Sequence, residues 1–62
     1  MKRVIYIGPV IDLEGLYLTF GSTGYVIETR DKRIWKRGYK FYFQPDGSKL
    51  GWYVKEKELY FA

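Results

Sequence analysis

YKFYFQPDGSKLGWYV, residues 39–54, decides the fold. Tyr39, Phe41 and Phe43 alternate with Lys40, Tyr42 and Gln44, the period of two of a strand with one covered face. Pro45-Asp46-Gly47 then makes a tight turn: Pro fixes φ, Asp bonds its own backbone and Gly accepts positive φ. Leu50, Trp52 and Val54 alternate with Gly51 and Tyr53 and complete a β-hairpin. Phe41, Phe43, Trp52 and Val54 point to one face, while Tyr42 and Tyr53 point to the other.

Outward from this hairpin the chain continues in short β-segments. Lys2 to Ile7 is rich in β-branched and aromatic residues and stops at Gly8-Pro9, a first strand. Residues 10–20 mix Leu13, Leu16 and Leu18 at a helix-like spacing with Gly15, Tyr17, Thr19 and Phe20, and read as a long, partly β-like loop. After a turn over Gly21–Gly24, Tyr25 to Thr29 forms the second strand. Residues 30–38 read as a loop or strand extension in preference to a brief helical turn around Lys32 to Lys36. Lys55 to Glu58 suits one 3₁₀ turn, and Leu59-Tyr60-Phe61 a terminal strand.

The expected fold is therefore all-β: one domain over residues 1–62, a small five-stranded SH3-like barrel with a short 3₁₀ turn before the last strand. Closure would remove the aggregation-prone edges of so aromatic a sheet. With neither Cys nor His, the core must come from side chains, and thirteen aromatic residues among 62 supply them. Val4, Val26, Phe41, Phe43, Trp52 and Leu59 are its expected members.

The same absences bear on chemistry. Without His or Cys the usual general base, thiolate nucleophile and soft metal ligands are missing, so no enzyme, metal site or cofactor is expected. The carboxylate pairs Asp12/Glu14 and Glu56/Glu58 fall in a loop and a polar turn, where they read as solvated charges. Gly8 and Pro9 interrupt the apolar stretch after Lys2-Arg3, which does not suit a signal segment, and no run is long enough to span a membrane. A soluble, cytoplasmic protein is the expectation.

Charge is uneven. Of the net +4, the segment 30–40 holds six cations against Asp31 alone. Arg30, Lys32, Arg33, Lys36, Arg37 and Lys40 can neutralise phosphates while Trp35 and Tyr39 offer faces for stacking, a combination that single-strand binders use. A solvated loop whose Ile34 and Trp35 fold back onto the barrel has the same composition. Mutual repulsion of six cations favours the nucleic-acid surface, because something must offset it. The alternative partner is a protein, met by the exposed tyrosines Tyr17, Tyr42 and Tyr53; Tyr42 and Tyr53 also read as cross-strand pairs that stabilise the sheet. No motif specifies an oligomeric state.

Three stretches carry a family resemblance. Residues 51–59, GWYVKEKEL, after the Y-x-F-x-F strand and D-G turn, resemble the end of SH3-like barrels. Val4, Tyr6, Ile7 and Gly8, followed by Gly15-Leu16-Tyr17-Leu18-Thr19, are similar to the opening of small SH3-like proteins of Gram-positive bacteria and their phages. Gly21, Gly24 and Val26 resemble the G-x-x-G-x-V core of a KOW motif, a segment of SH3-like barrels that often contacts RNA or RNA polymerase. The resemblance implies a binding module, either for nucleic acid or, as in a phage-encoded modulator, for a host protein. No Pro follows Pro45, unlike the SH3 domains that take proline-rich ligands.

Overall fold

In a computed structural model, which describes residues 2–61, the β-rich segments form β1 (Lys2–Tyr6), β2 (Ile11–Leu13), β3 (Leu16–Leu18), β4 (Thr23–Glu28), β5 (Phe41–Pro45), β6 (Trp52–Val54) and β7 (Leu59–Phe61). A single helical turn, α1 (Lys32–Lys36), joins β4 to β5, and a 3₁₀ turn at Glu56–Glu58 precedes β7. Five strands make one antiparallel sheet in the order β6-β5-β4-β1-β7, and β2 pairs with β3 alone.

The hairpin over residues 39–54 forms with the expected register: Phe43 faces Trp52, Tyr42 faces Tyr53 and Phe41 faces Val54. Where a loop was expected over 10–20 there is a second hairpin. Leu13 pairs with Leu16 across a two-residue turn in which Gly15 takes φ 82°, a conformation that glycine adopts without strain. Leu16 and Leu18 then turn inward and are buried while Tyr17 stays out, so β3 follows a strand period that its helix-like leucine spacing concealed.

The core is Val4, Tyr6, Leu16, Leu18, Val26, Phe43, Val54 and Leu59, with Ile11 and Phe41 against its rim. Four of the six expected core residues, Val4, Val26, Phe43 and Leu59, are fully or almost fully buried. Phe41 is half-buried. Trp52 is 39% exposed: its register places it on the inner face beside Phe43, but β6 is an edge strand with no further strand beyond it among the described residues. Tyr6 takes the central place instead. Its ring stacks on Phe43 at 6.0 Å and its hydroxyl donates to the Pro9 carbonyl at 2.6 Å, so the one polar atom it buries is satisfied. Burial, and secondarily the charge of Glu58, raises the Tyr6 phenol above its ordinary pKa. At Gly24 the strands approach so closely that any Cβ would collide with the Gln44 carbonyl and the Phe43 ring.

The sheet curls without closing. Phe41 on β5 meets Phe61 on β7 edge-to-face at 5.6 Å across the two intervening strands, yet among the described residues β6 and β7 share no ladder. The architecture among the described residues is all-β: a curled, five-stranded half-barrel sheet with the two-stranded hairpin β2–β3 beside it, seven strands together. Its edges are protected by brevity, since β6 and β7 are three residues each, and by Lys49 and Lys55 flanking β6. Among the described residues no helix is long and apolar enough to cross a membrane.

Candidate nucleic-acid interface

The basic segment leaves the sheet at the end of β4 and returns at the start of β5. The Thr29 N–H donates to the Lys40 carbonyl at 2.8 Å, which extends the ladder by one step and brings the two ends of the segment together. Between them Asp31 caps α1: its backbone is extended (φ −78°, ψ 106°) and its carboxylate accepts from the Arg33 N–H at 3.0 Å. The segment thus turns helically at Lys32–Lys36, where a loop or strand extension was expected, because its only carboxylate stands at the N-cap. The turn ends where the Gly38 N–H donates to the Trp35 carbonyl at 2.8 Å.

Asp31 has a second consequence. Its carboxylate also accepts from the Arg33 guanidinium, at 3.2 Å from Nε and 3.1 Å from Nη2. These hydrogen bonds hold the Asp31 carboxyl below the usual carboxylate range and raise the Arg33 guanidinium. Arg33 is accordingly occupied, while Arg30, Lys32, Lys36, Arg37 and Lys40 stand exposed and form no ion pair among the described residues.

The two expected stacking groups fare differently. The Trp35 indole N–H donates to the Thr29 carbonyl at 2.5 Å, which fixes the ring against the end of β4 with 37% of the residue exposed. Trp35 lines an open groove of about 770 Å³ at the mouth of the half-barrel, with Lys2, Arg30, Phe41 and Phe61, and with Glu28 and Glu56. Tyr39 is half-buried and the Lys55 ammonium lies over its ring at 5.3 Å, so one face is taken. Phe41, Phe61 and Lys2 were not singled out as site residues from sequence. Their placement at one mouth depends on the curl of the sheet, which no local pattern encodes.

The alternative set separates. Tyr42 and Tyr53 sit opposite one another with rings edge-to-face at 5.2 Å, the cross-strand pair that their spacing suggested. Tyr17 is 61% exposed but stands on the hairpin β2–β3, in a second groove beside Leu13, Lys49 and Leu50. The structure does not bring it to the other two tyrosines. No protein-family model, curated protein or solved structure matches the chain.

Proposed function

We propose that this chain is a non-catalytic, cytoplasmic module of SH3-like type that binds single-stranded nucleic acid through residues 30–40. The strand order β6-β5-β4-β1-β7, with a 3₁₀ turn leading into the last strand, supports the SH3-like reading even though the sheet stays open. The observation that carries the binding reading is the charge left over on α1: Lys32, Lys36 and Arg37 are exposed on and beside one helical turn whose only carboxylate, Asp31, is already held by Arg33. Phosphates would offset the repulsion among these cations, and Trp35, pinned through its N–H, offers an aromatic surface with little entropy left to lose.

The test reverses the three free cations together, as Lys32→Glu, Lys36→Glu and Arg37→Glu. The native chain should bind a labelled oligothymidylate at low salt, with affinity falling steeply as salt rises. The triple variant should lose that binding and flatten the slope of log K against log salt by roughly 2, three phosphate contacts at about 0.7 each. Stability should change by less than about 0.5 kcal/mol for each exposed position. Absence of salt-sensitive binding by the native chain would hand first place to a second reading, a protein-interaction module of the kind a phage directs at a host protein. The observation favouring that reading is Tyr17, largely exposed in a groove of mixed lining that holds Leu13 and Leu50 beside Asp46 and Lys49.

A further inference from the structure

The mouth groove is poorly suited to being the main seat of the bases, because Glu28 and Glu56 share it with Trp35 and Tyr39 lies outside it under Lys55. A different surface combines aromatic area with rows that hold no carboxylate of their own, Asp46 reaching only its end, where it is paired with Arg3. The register fixes the outer face of the sheet as three rows: Tyr53–Tyr42–Ile27 across β6, β5 and β4; Gln44–Tyr25–Arg3 across β5, β4 and β1; and Thr23–Ile5–Tyr60 across β4, β1 and β7. None of these nine residues is acidic. Tyr25, Tyr53, Tyr60 and Ile27 are each between 41% and 58% exposed, and no segment of the described chain covers them.

We propose that the bases of the bound strand stack on this outer face, on Tyr25, Tyr42 and Tyr53, while the segment 30–40 holds its phosphates. The proposal rests on the nucleic-acid reading of that segment and extends it to a second surface. Three features of the face favour it.

The rings are held before any ligand arrives. The Tyr42 hydroxyl accepts from the Gly51 N–H at 3.1 Å, and its ring occupies the space that a side chain at residue 51 would need, since a Cβ there would lie 2.6 Å from it. Tyr53 leans edge-on against Tyr42. Tyr25 is backed by the Arg3 guanidinium at 4.8 Å, itself held by Asp46. Fixed rings lose little freedom when a base stacks on them, and stacking tolerates any base because each has a π-face.

The face is also continuous with the cations. Beyond the row Tyr53–Tyr42–Ile27 the ladder runs through Glu28 with Phe41 to Thr29 with Lys40, two residues on and so on the outer face again, where the basic segment rejoins the sheet. A strand whose phosphates lie along residues 30–40 therefore reaches the first tyrosine row directly. Finally, charge selects the occupant. A polyanion meets the cations Arg30, Lys32, Lys36, Arg37 and Lys40 beside rows that hold no carboxylate of their own.

The experiment uses the full chain and a short fluorescein-labelled oligothymidylate, read by anisotropy, with Tyr25→Leu, Tyr53→Leu and the two Tyr→Phe controls. Each Leu variant should weaken binding roughly five- to a hundredfold, the loss of one stacked base, and leave the salt slope unchanged; each Phe variant should bind as the native chain does. On the native chain, the ring proton resonances of Tyr25 and Tyr53 should shift as the oligonucleotide is added, a readout that holds even where a Leu variant fails to fold. Native affinity in both Leu variants, or unmoved Tyr25 and Tyr53 resonances, while the Lys32/Lys36/Arg37 reversal still abolishes binding, would overturn the stacking face and leave the segment's role standing. No salt-sensitive binding at all would overturn both.

Discussion

The inner and outer faces of the five-stranded sheet are built from alternate residues of the same strands, and residue type does not tell them apart. Val4, Val26 and Phe43 point inward beside Arg3, Tyr25 and Tyr42 pointing outward, yet Tyr6 is fully buried while Tyr25 and Tyr53 are more than 40% exposed. The difference is the cover. Leu16 and Leu18 of the hairpin β2–β3 join the inner residues in one core, and nothing comparable lies over the outer face. A tyrosine can serve on either side, provided that its hydroxyl finds an acceptor when buried, as Tyr6 does at Pro9.

The sharpest way to break this comparison is to cut one aromatic ring from each face. Phe43→Ala should cost about 3 to 5 kcal/mol, because the side chain has no exposure and its removal leaves a cavity under Tyr6. In a chain this short each kcal/mol lowers Tm by roughly 4 to 8 °C, so the domain should melt at least about 12 °C earlier by circular dichroism. Tyr53→Ala loses a cross-strand partner only, about 0.2 to 1 kcal/mol. Equal melting shifts for the two would mean that the faces are not distinguished by cover.

Trp52 refines the comparison, since it belongs to the inner face by register and to the surface by exposure. Trp52→Ala should cost about 1 to 2 kcal/mol, the share of a large side chain's burial that its covered part represents. A denaturation midpoint as low as that of Phe43→Ala would show that the edge strand is covered after all. This residue also marks where the sequence stops being legible. Alternation over 39–54, the turn at Asp46-Gly47, the 3₁₀ turn and the last strand were all readable, because each is a local pattern. Cover is not local: whether Trp52 is buried depends on what lies beyond β6, and whether the sheet closes depends on β6 meeting β7, residues that no periodicity connects. Two local signals were present but outweighed. Glu14-Gly15 announced a hairpin turn that the leucine spacing masked, and Asp31 announced a helix cap inside a segment too brief to stand alone as a helix. The candidate site divides in the same way. The cations of 30–40 were visible as composition, but the acid-free tyrosine rows emerge only once the register sets β1, β4, β5 and β6 side by side.

The smallest expected effect concerns the end of the outer face, where Asp46 ties the hairpin turn back to β1 and β4. Its carboxylate accepts from both terminal nitrogens of Arg3, at 2.8 and 2.5 Å, and from the Thr23 hydroxyl at 2.7 Å. The Arg3 hydrogen bonds first, and the Thr23 one second, hold the Asp46 carboxyl below its ordinary pKa. Because the folded form binds that proton less readily than the unfolded chain, the contribution is complete above the unfolded value of about 3.9 and disappears as pH falls through the lower, folded value. Both partners stand in solvent, so the effect is modest and salt-sensitive. Asp46→Asn keeps an acceptor for Thr23 and removes the charge. Its melting temperature should lie below that of the native chain at pH 7, and the two curves should converge in acid once the native carboxyl is protonated. Asp31, whose carboxyl is lowered by Arg33 in the same way, titrates in both proteins and so cancels in the difference between them. A gap between the curves that stays constant into acid would mean that the turn is held by the shape of the Asp46 side chain, and that the Arg3 charge adds nothing to it.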